Sequence, residues 1–444
     1  MQLRRGGPGR RAGGARGHPP EPPARRRRAG RLRAVVVDTG PLRDSRDYRL
    51  LALGGFVSGL GTQVTLVALP FQVYVLTGSS FDVGLIGLAE LLPLIALSLI
   101  GGALADRTER RRLLMAAQLV QLSTSALLAV GAATGPPPVG ALYALAGIAA
   151  AASAVDRPTR SAMIPGLVAP EQLQPAVSFN YGLAQLTMVV GPAAGGIVIA
   201  SAGLRWAYAL DVVTFAAMVT AVAMMQRQPP PAGLSGESFV RAVRSGLRFA
   251  AGRGELMGSF AVDLLAMTFG MPRALFPALS LTLYHSGATG VGLLYAALSF
   301  GATVSALSTG WLGRMRRLGR IVVVAIAGWG VAVTLAGLTH TLAVAMVCLA
   351  VAGAADSVSA VCRSTILLTA TPDAMRGRMS AIFTLVVTGG PRLGDVESGS
   401  VAALFGAQAA VASGGILCVL GLAPIVAALP AFWRYGETAP AALE

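Results

Sequence analysis

From Tyr48 onward the chain is a succession of apolar stretches, each near 20 residues and separated by short charged or Gly/Pro-rich joints. Twenty helical residues rise about 30 Å, the thickness of a bilayer's hydrocarbon core. Twelve such stretches are predicted as membrane-spanning helices, at roughly 50–77, 83–105, 113–133, 138–156, 174–200, 206–226, 256–283, 290–313, 321–340, 342–364, 379–405 and 408–433. Only 13% of the residues are charged while 54% are hydrophobic, which is poor material for a soluble enzyme or a DNA-binding protein. The fold class expected is an all-α membrane protein.

The net charge of +16 does not argue for a nucleic-acid partner, because of where it sits. Fourteen arginines against four acids in the first 50 residues give that segment +10. Residues 1–45, rich in Arg, Pro and Gly without hydrophobic period, read either as a disordered basic tail or as sequence ahead of a true start near Val35–Val37. They lack the h-region of a signal peptide. Every basic residue is arginine, a composition that suggests a GC-rich bacterial genome. Cys348, Cys362 and Cys418 lie in apolar stretches and read as small core residues.

Charge between the spans is lopsided. One set of connections holds Asp106–Arg112, Asp156–Glu171, Arg227–Glu255, Arg314–Arg320 and Asp373–Arg378, while the opposite set holds only Asp82 and Arg205. The positive-inside rule places the arginine-bearing set and both termini in the cytoplasm of a plasma membrane. The longest connection divides the chain into a six-helix bundle at 46–226, a linker at 227–255, a second bundle at 256–434 and a tail at 435–444.

The two bundles repeat each other. Arg160-Ser161 followed by Pro170-Glu171 matches Arg363-Ser364 followed by Pro372-Asp373; Gly191-Pro192…Gly195 matches Gly390-Pro391…Gly394; Gly102-Ala-Leu104 matches Gly310-Trp-Leu312. Offsets near 200 residues indicate a duplicated six-helix unit with pseudo-symmetric halves. Such halves meeting at the midplane are a transporter architecture.

Gly102-Ala-Leu-Ala-Asp106-Arg107-Thr-Glu109-Arg110-Arg111-Arg112 resembles the G-x-L-x-D-R-x-G-R-R signature loop of the major facilitator superfamily, with Glu109 in place of glycine. The resemblance implies that Asp106 latches onto the helix beginning near Arg378, with Arg110 between Asp106 and Asp156, and that Gly102, Arg107, Arg111 and Arg160 belong to the same cytoplasmic gate. An anion at a helix N-terminus is physically favourable. Gly191-Pro192-Ala-Ala-Gly195-Gly196 resembles the core of the superfamily's antiporter signature, which implies export; Thr187 stands where the full signature has an upstream glycine. Without that meaning, the same residues make a close-packed, bendable seam. Asp156–Arg160, Pro165, Leu173, Ala176 and Arg376–Arg378 extend the resemblance to the siderophore and drug exporter branch over most of residues 48–433.

Ionisable residues at membrane depth are costly and mark pathways. Glu90, Asp263 and Asp356 are the candidate proton carriers, and Arg273 and Arg392 the candidate anion holders. Mutual pairing, for example Asp356 with Arg363 seven residues on, is the equally weighted alternative. Asp211, opening the sixth span, reads as interfacial, and His285 and His340 as surface residues.

No Walker motif, no metal-spaced Cys/His set and no hydrolase motif occurs, so no cofactor and no metal are expected and an ion gradient supplies the energy. The expected function is proton-coupled export of a small amphiphilic compound (siderophore, antibiotic or drug-like) by a monomer in the bilayer. Import or facilitation on the same fold, or a membrane-embedded lipid or glycan enzyme, are the alternatives.

Overall fold

The computed structural model describes residues 39–228, 239–308 and 315–436, without the side chains of 98–107, 239–242 and 374. Twelve long helices follow one another: α1 Arg46–Thr77, α2 Ser80–Arg107, α3 Arg110–Thr134, α4 Val139–Leu167, α5 Leu173–Ala202, α6 Leu204–Ala223, α7 Gly254–Leu283, α8 Gly287–Ser308, α9 Leu318–Leu338, α10 Leu342–Ala370, α11 Arg376–Phe405 and α12 Ala407–Ala428. Eleven of these are long and apolar enough to cross a bilayer. The remaining one, α11, is equally long but carries Arg392, Asp395 and Glu397 in its second half. Arg392 and Asp395 are tolerated because neighbouring helices cover them: Gly84 and Gly87 of α2 approach Asp395 and Arg392, and Gly390 and Gly394 approach Met267 of α7.

Local chemistry sets the ends. Ser45 Oγ accepts the Tyr48 N–H at 3.1 Å and starts α1, and Gly78, at φ +66°, stops it in the left-handed cap that favours glycine. The duplication read from sequence is visible in the joints. Gly203 alone links α5 to α6 at φ +90°, and Gly406 alone links α11 to α12 at φ +86°. A single 3₁₀ turn, Pro170–Gln172 or Asp373–Met375, leads into α5 and α11 respectively. Within the helices, Gly191 and Gly195 of α5 pack on Gln63 and Val64 of α1, just as Gly390 and Gly394 of α11 pack on Met267 of α7.

The span expected at 256–283 is present as Gly254–Leu283, with a break inside it. Helix stops at Phe269, turns through Gly270–Pro272 and a 3₁₀ turn at Arg273–Leu275, and resumes through a π turn at Leu279–Leu283. Pro272 removes a donor, and the Gly270 carbonyl accepts from Trp329 Nε1 at 3.0 Å. The expected linker at 227–255 contains a helix, Phe239–Ala251, whose Gly246 lies against Ile382 and the Arg378 carbonyl of α11. Of the tail expected at 1–45, residues 1–38 lie outside the described residues, and Gly40–Asp44 form a short helix with Pro41 buried.

Buried residues form one large cluster and two small ones. The large cluster unites both halves at the end carrying the short connections, through Val64, Val73 and Ile86 with Leu275, Phe276 and Val291. At the arginine-loop end no described cluster joins the halves: Tyr48, Leu114, Met163 and Met218 belong to the first half alone, and Leu256, Leu367, Met379 and Ile382, with Val322, Ile366 and Phe432 of the large cluster, to the second alone.

Candidate functional site

Among the described residues, three groups of charged side chains sit inside the helices. In the second half, Arg363 of α10 lies in direct contact with Asp263 of α7 and 3.5 Å from Asp356 of its own helix. Arg363 and Asp263 are each 2% exposed, whereas the Asp356 side chain is 30% exposed. The seven-residue pairing expected of Asp356 and Arg363 is therefore present, but Asp263, from another helix, is the nearer partner. Asp263 Oδ2, Ser359 Oγ and Arg363 Nε are buried without a hydrogen-bond partner.

The second group spans the two halves. Arg392 of α11 reaches Glu90 of α2 at 3.1 Å and donates to the Thr388 carbonyl at 2.7 Å. Glu90 lies about 15 Å along α2 from Ser80, near mid-membrane. Asp395, one turn beyond Arg392, is within electrostatic reach of Arg273, Glu90 and Arg392. Arg273 stands at the α7 break, and its carbonyl accepts from Tyr295 Oη at 3.3 Å. Glu90 and Arg392, read from sequence as separate proton and anion sites, are here each other's partners.

The third group lies in the first half. Asp156 accepts from Arg160 Nε at 2.9 Å and Gln118 Nε2 at 2.7 Å, and Arg160 Nη2 donates to Ser58 at 3.2 Å. Arg160 and Arg363 occupy matching places in the two repeats. Arg110 does not stand against Asp156 as expected; it donates to the Ala162 carbonyl at 2.7 Å, near the end of α4. Arg111 donates to the Val222 and Ala223 carbonyls at 2.9 and 2.7 Å, binding the start of α3 to the end of α6. A cation there complements the negative helix terminus. Glu109, in the place of glycine, holds Arg112 at 2.9 Å. The side chains of Asp106 and Arg107, and the surroundings of Gly102, lie outside the described residues.

Asp211 is not interfacial. It is 1% exposed and accepts from Thr65 and Ser125, each at 2.7 Å, and from Thr214 at 3.4 Å. The signal was available: α6 begins directly after Gly203, which puts Asp211 two turns inside it. His285 and His340 are exposed as expected.

Gly191–Gly196 faces two partners. Gly191 and Gly195 pack within the first half on α1, while Gly196 meets Gly292 of α8, where a Cβ would stand 2.7 Å from the Ala288 carbonyl. Gly84 and Gly399 make the matching α2–α11 crossing. Both backbone-to-backbone crossings lie toward the short-connection end; farther along α5, Gln185 meets Thr303 of α8 at 3.4 Å. Pairwise crossing of a duplicated unit, with charge at its centre, is a transporter's geometry.

Comparison with known proteins agrees. The family described as transmembrane secretion effectors matches residues 38–438. The chain belongs to this family. As a secretion effector it is an exporter of the major facilitator type, a transporter and not an enzyme, and a multi-pass protein of the cell membrane. It is 30% identical over 386 residues to the enterobactin exporter of Citrobacter koseri, covering 84% of this chain and 90% of that one. The enterobactin exporter of Escherichia coli O1:K1 is 29% identical, covering 88% and 94%. In fold the effector is similar to a peptide transporter of the POT type in complex with alafosfalin, with TM-score 0.72 and 12% identity over 92% of this chain and 99% of that one. A bacterial homologue of the lysosomal transporter Spinster, inward-facing and unoccupied, gives TM-score 0.68 and 15% identity over 91% and 100%.

Proposed function

We propose that this effector, acting as a monomer, exports a small amphiphilic compound of the siderophore, antibiotic or drug-like kind in exchange for protons. The observation that carries the reading is the asymmetric core: one cluster joins the halves at the short-connection end, and two clusters stand apart at the arginine-loop end. With the arginine loops and both termini in the cytoplasm, this is the inward-facing state, shut toward the outside by the Gly196–Gly292 and Gly84–Gly399 crossings and by Glu90–Arg392. A compound enters from the cytoplasm or inner leaflet and meets the partly exposed Glu90, Arg392 and Asp356 between the halves. Charged groups at that depth face a wet cavity rather than lipid. Rocking about the site then opens the other end. Because each half finds its rocking partner in the same chain, a monomer suffices. Asp106, by its resemblance to the signature loop, takes hold of the start of α11 when the inner end closes.

The test uses purified protein in liposomes with labelled enterobactin, the compound after which the relatives are named, beside a panel of amphiphilic dyes. An acidic lumen drives uptake of at least one probe, and a protonophore abolishes it. Uptake that ignores both removes the proton from the scheme.

A further inference from the structure

We propose that Asp356 is the residue that binds the coupled proton, and that Asp263 is the fixed counter-ion of Arg363. The assignment rests on the antiport reading above and narrows it to one carboxyl. Charge balance in the membrane interior separates the groups. Asp156 has Arg160. Glu90 and Asp395 have Arg392 and Arg273 between them. Asp211 has no cation but three hydroxyl donors. Glu397 is a lone, partly exposed carboxyl beside Leu393 and Leu404 on its helix face. Among the described residues, only the α7–α10 group sets two carboxyls against one guanidinium.

A surplus negative charge in a helix bundle is expensive to desolvate, and one proton cancels it. Between the two carboxyls the geometry chooses. Asp263 is sealed and in direct contact with Arg363, while Asp356 is the more distant and the accessible one. Ser359, fully buried on the same face of α10 and without a partner, has its hydroxyl free for either carboxyl. The other charges that bear on Asp356 are few. From α7 come Asp263 and, more weakly, Arg273; α10 itself supplies Arg363. No charged residue occurs in α8, and α9 has only Arg320 at its arginine-loop start, over the Trp433 ring. Protonation leaves a neutral Asp263–Arg363 pair and lets the halves move without a stranded charge.

The first experiment needs no substrate. Dicyclohexylcarbodiimide reacts with protonated carboxyls in apolar surroundings, and peptide mass spectrometry of the treated wild-type protein reads which ones. The adduct is expected on Asp356, falling at least about tenfold between pH 5 and 9, with the Asp263 and Glu90 peptides unmodified. Adduct on Asp263 or Glu90 with Asp356 clean, or an Asp356 unmodified at the acid end, overturns the assignment. Asp356→Asn in liposomes is expected to lose the dependence of uptake on the proton gradient; retained gradient coupling also overturns the assignment. The readings fail separately. Wild-type transport indifferent to pH with Asp356 modified defeats antiport alone, and pH-coupled transport with Asp356 unmodified defeats this assignment alone.

Discussion

A guanidinium enclosed with two carboxylates is held less by the attraction it gains than by the cost of leaving either side alone. Arg363→Ala strands Asp263, sealed at 2% exposure, and is expected to destabilise the protein by about 3–5 kcal/mol. Asp263→Leu with Arg363→Met removes both partners together and should lie within about 2 kcal/mol of wild type. Thermal unfolding in detergent compares the two, and a double variant no more stable than Arg363→Ala contradicts this account. The sequence revealed Asp356 and Arg363 as neighbours because seven residues are two helical turns. It could not reveal Asp263 as the nearer partner, since that contact joins α7 to α10 across about a hundred residues. For Asp211 the depth was legible from Gly203, but its donors were not, since they come from α1 and α3 as well as its own helix.

Among the elements, hydrophobic length was enough to find the spans, but not their interruptions or their contacts. Gly270 and Pro272 were visible as letters, yet the break they make in α7 depends on Trp329 of α9 receiving the freed carbonyl. Gly191–Gly196 was legible as a seam, whereas its division between α1 and α8 depends on which way each glycine faces. That division gives a prediction. A side chain at Gly292 collides with the Pro192 carbonyl, and overpacking of this kind costs about 1–3 kcal/mol. The cost falls on the state closed at the short-connection end and not on the one where α5 and α8 part. Gly292→Val therefore moves the population toward outward opening by roughly 5- to 150-fold. Spin labels at Thr134 and Thr341, one per half at that end, should report a longer distance in the variant. Gly182→Val, with nothing within 4 Å of the new Cβ, should leave it unchanged.

At the scale of the whole molecule, the repeat offsets disclosed two halves, and the lopsided arginines gave an expected orientation. Which helices of one half touch the other was hidden, because α2–α11 and α5–α8 crossings leave no periodic mark of their own. The Glu90–Arg392 pair belongs to this level, since it joins the halves at 3.1 Å and must separate when the outer end opens. If its work is to clasp, either single change, Glu90→Gln or Arg392→Gln, frees the halves and lengthens the Thr134–Thr341 distance. The charge-reversed double, Glu90→Arg with Arg392→Glu, restores attraction between the same two helices and brings the short distance back, with a coupling of about 0.5–3 kcal/mol in the cycle. If Glu90 instead worked as an isolated carboxyl, the reversed pair would leave α2 without one at that place and rescue nothing. Short distances and transport recovered together in the double variant identify a clasp. Loss of both in the double, beyond the sum of the singles, transfers Glu90 to the transport chemistry itself.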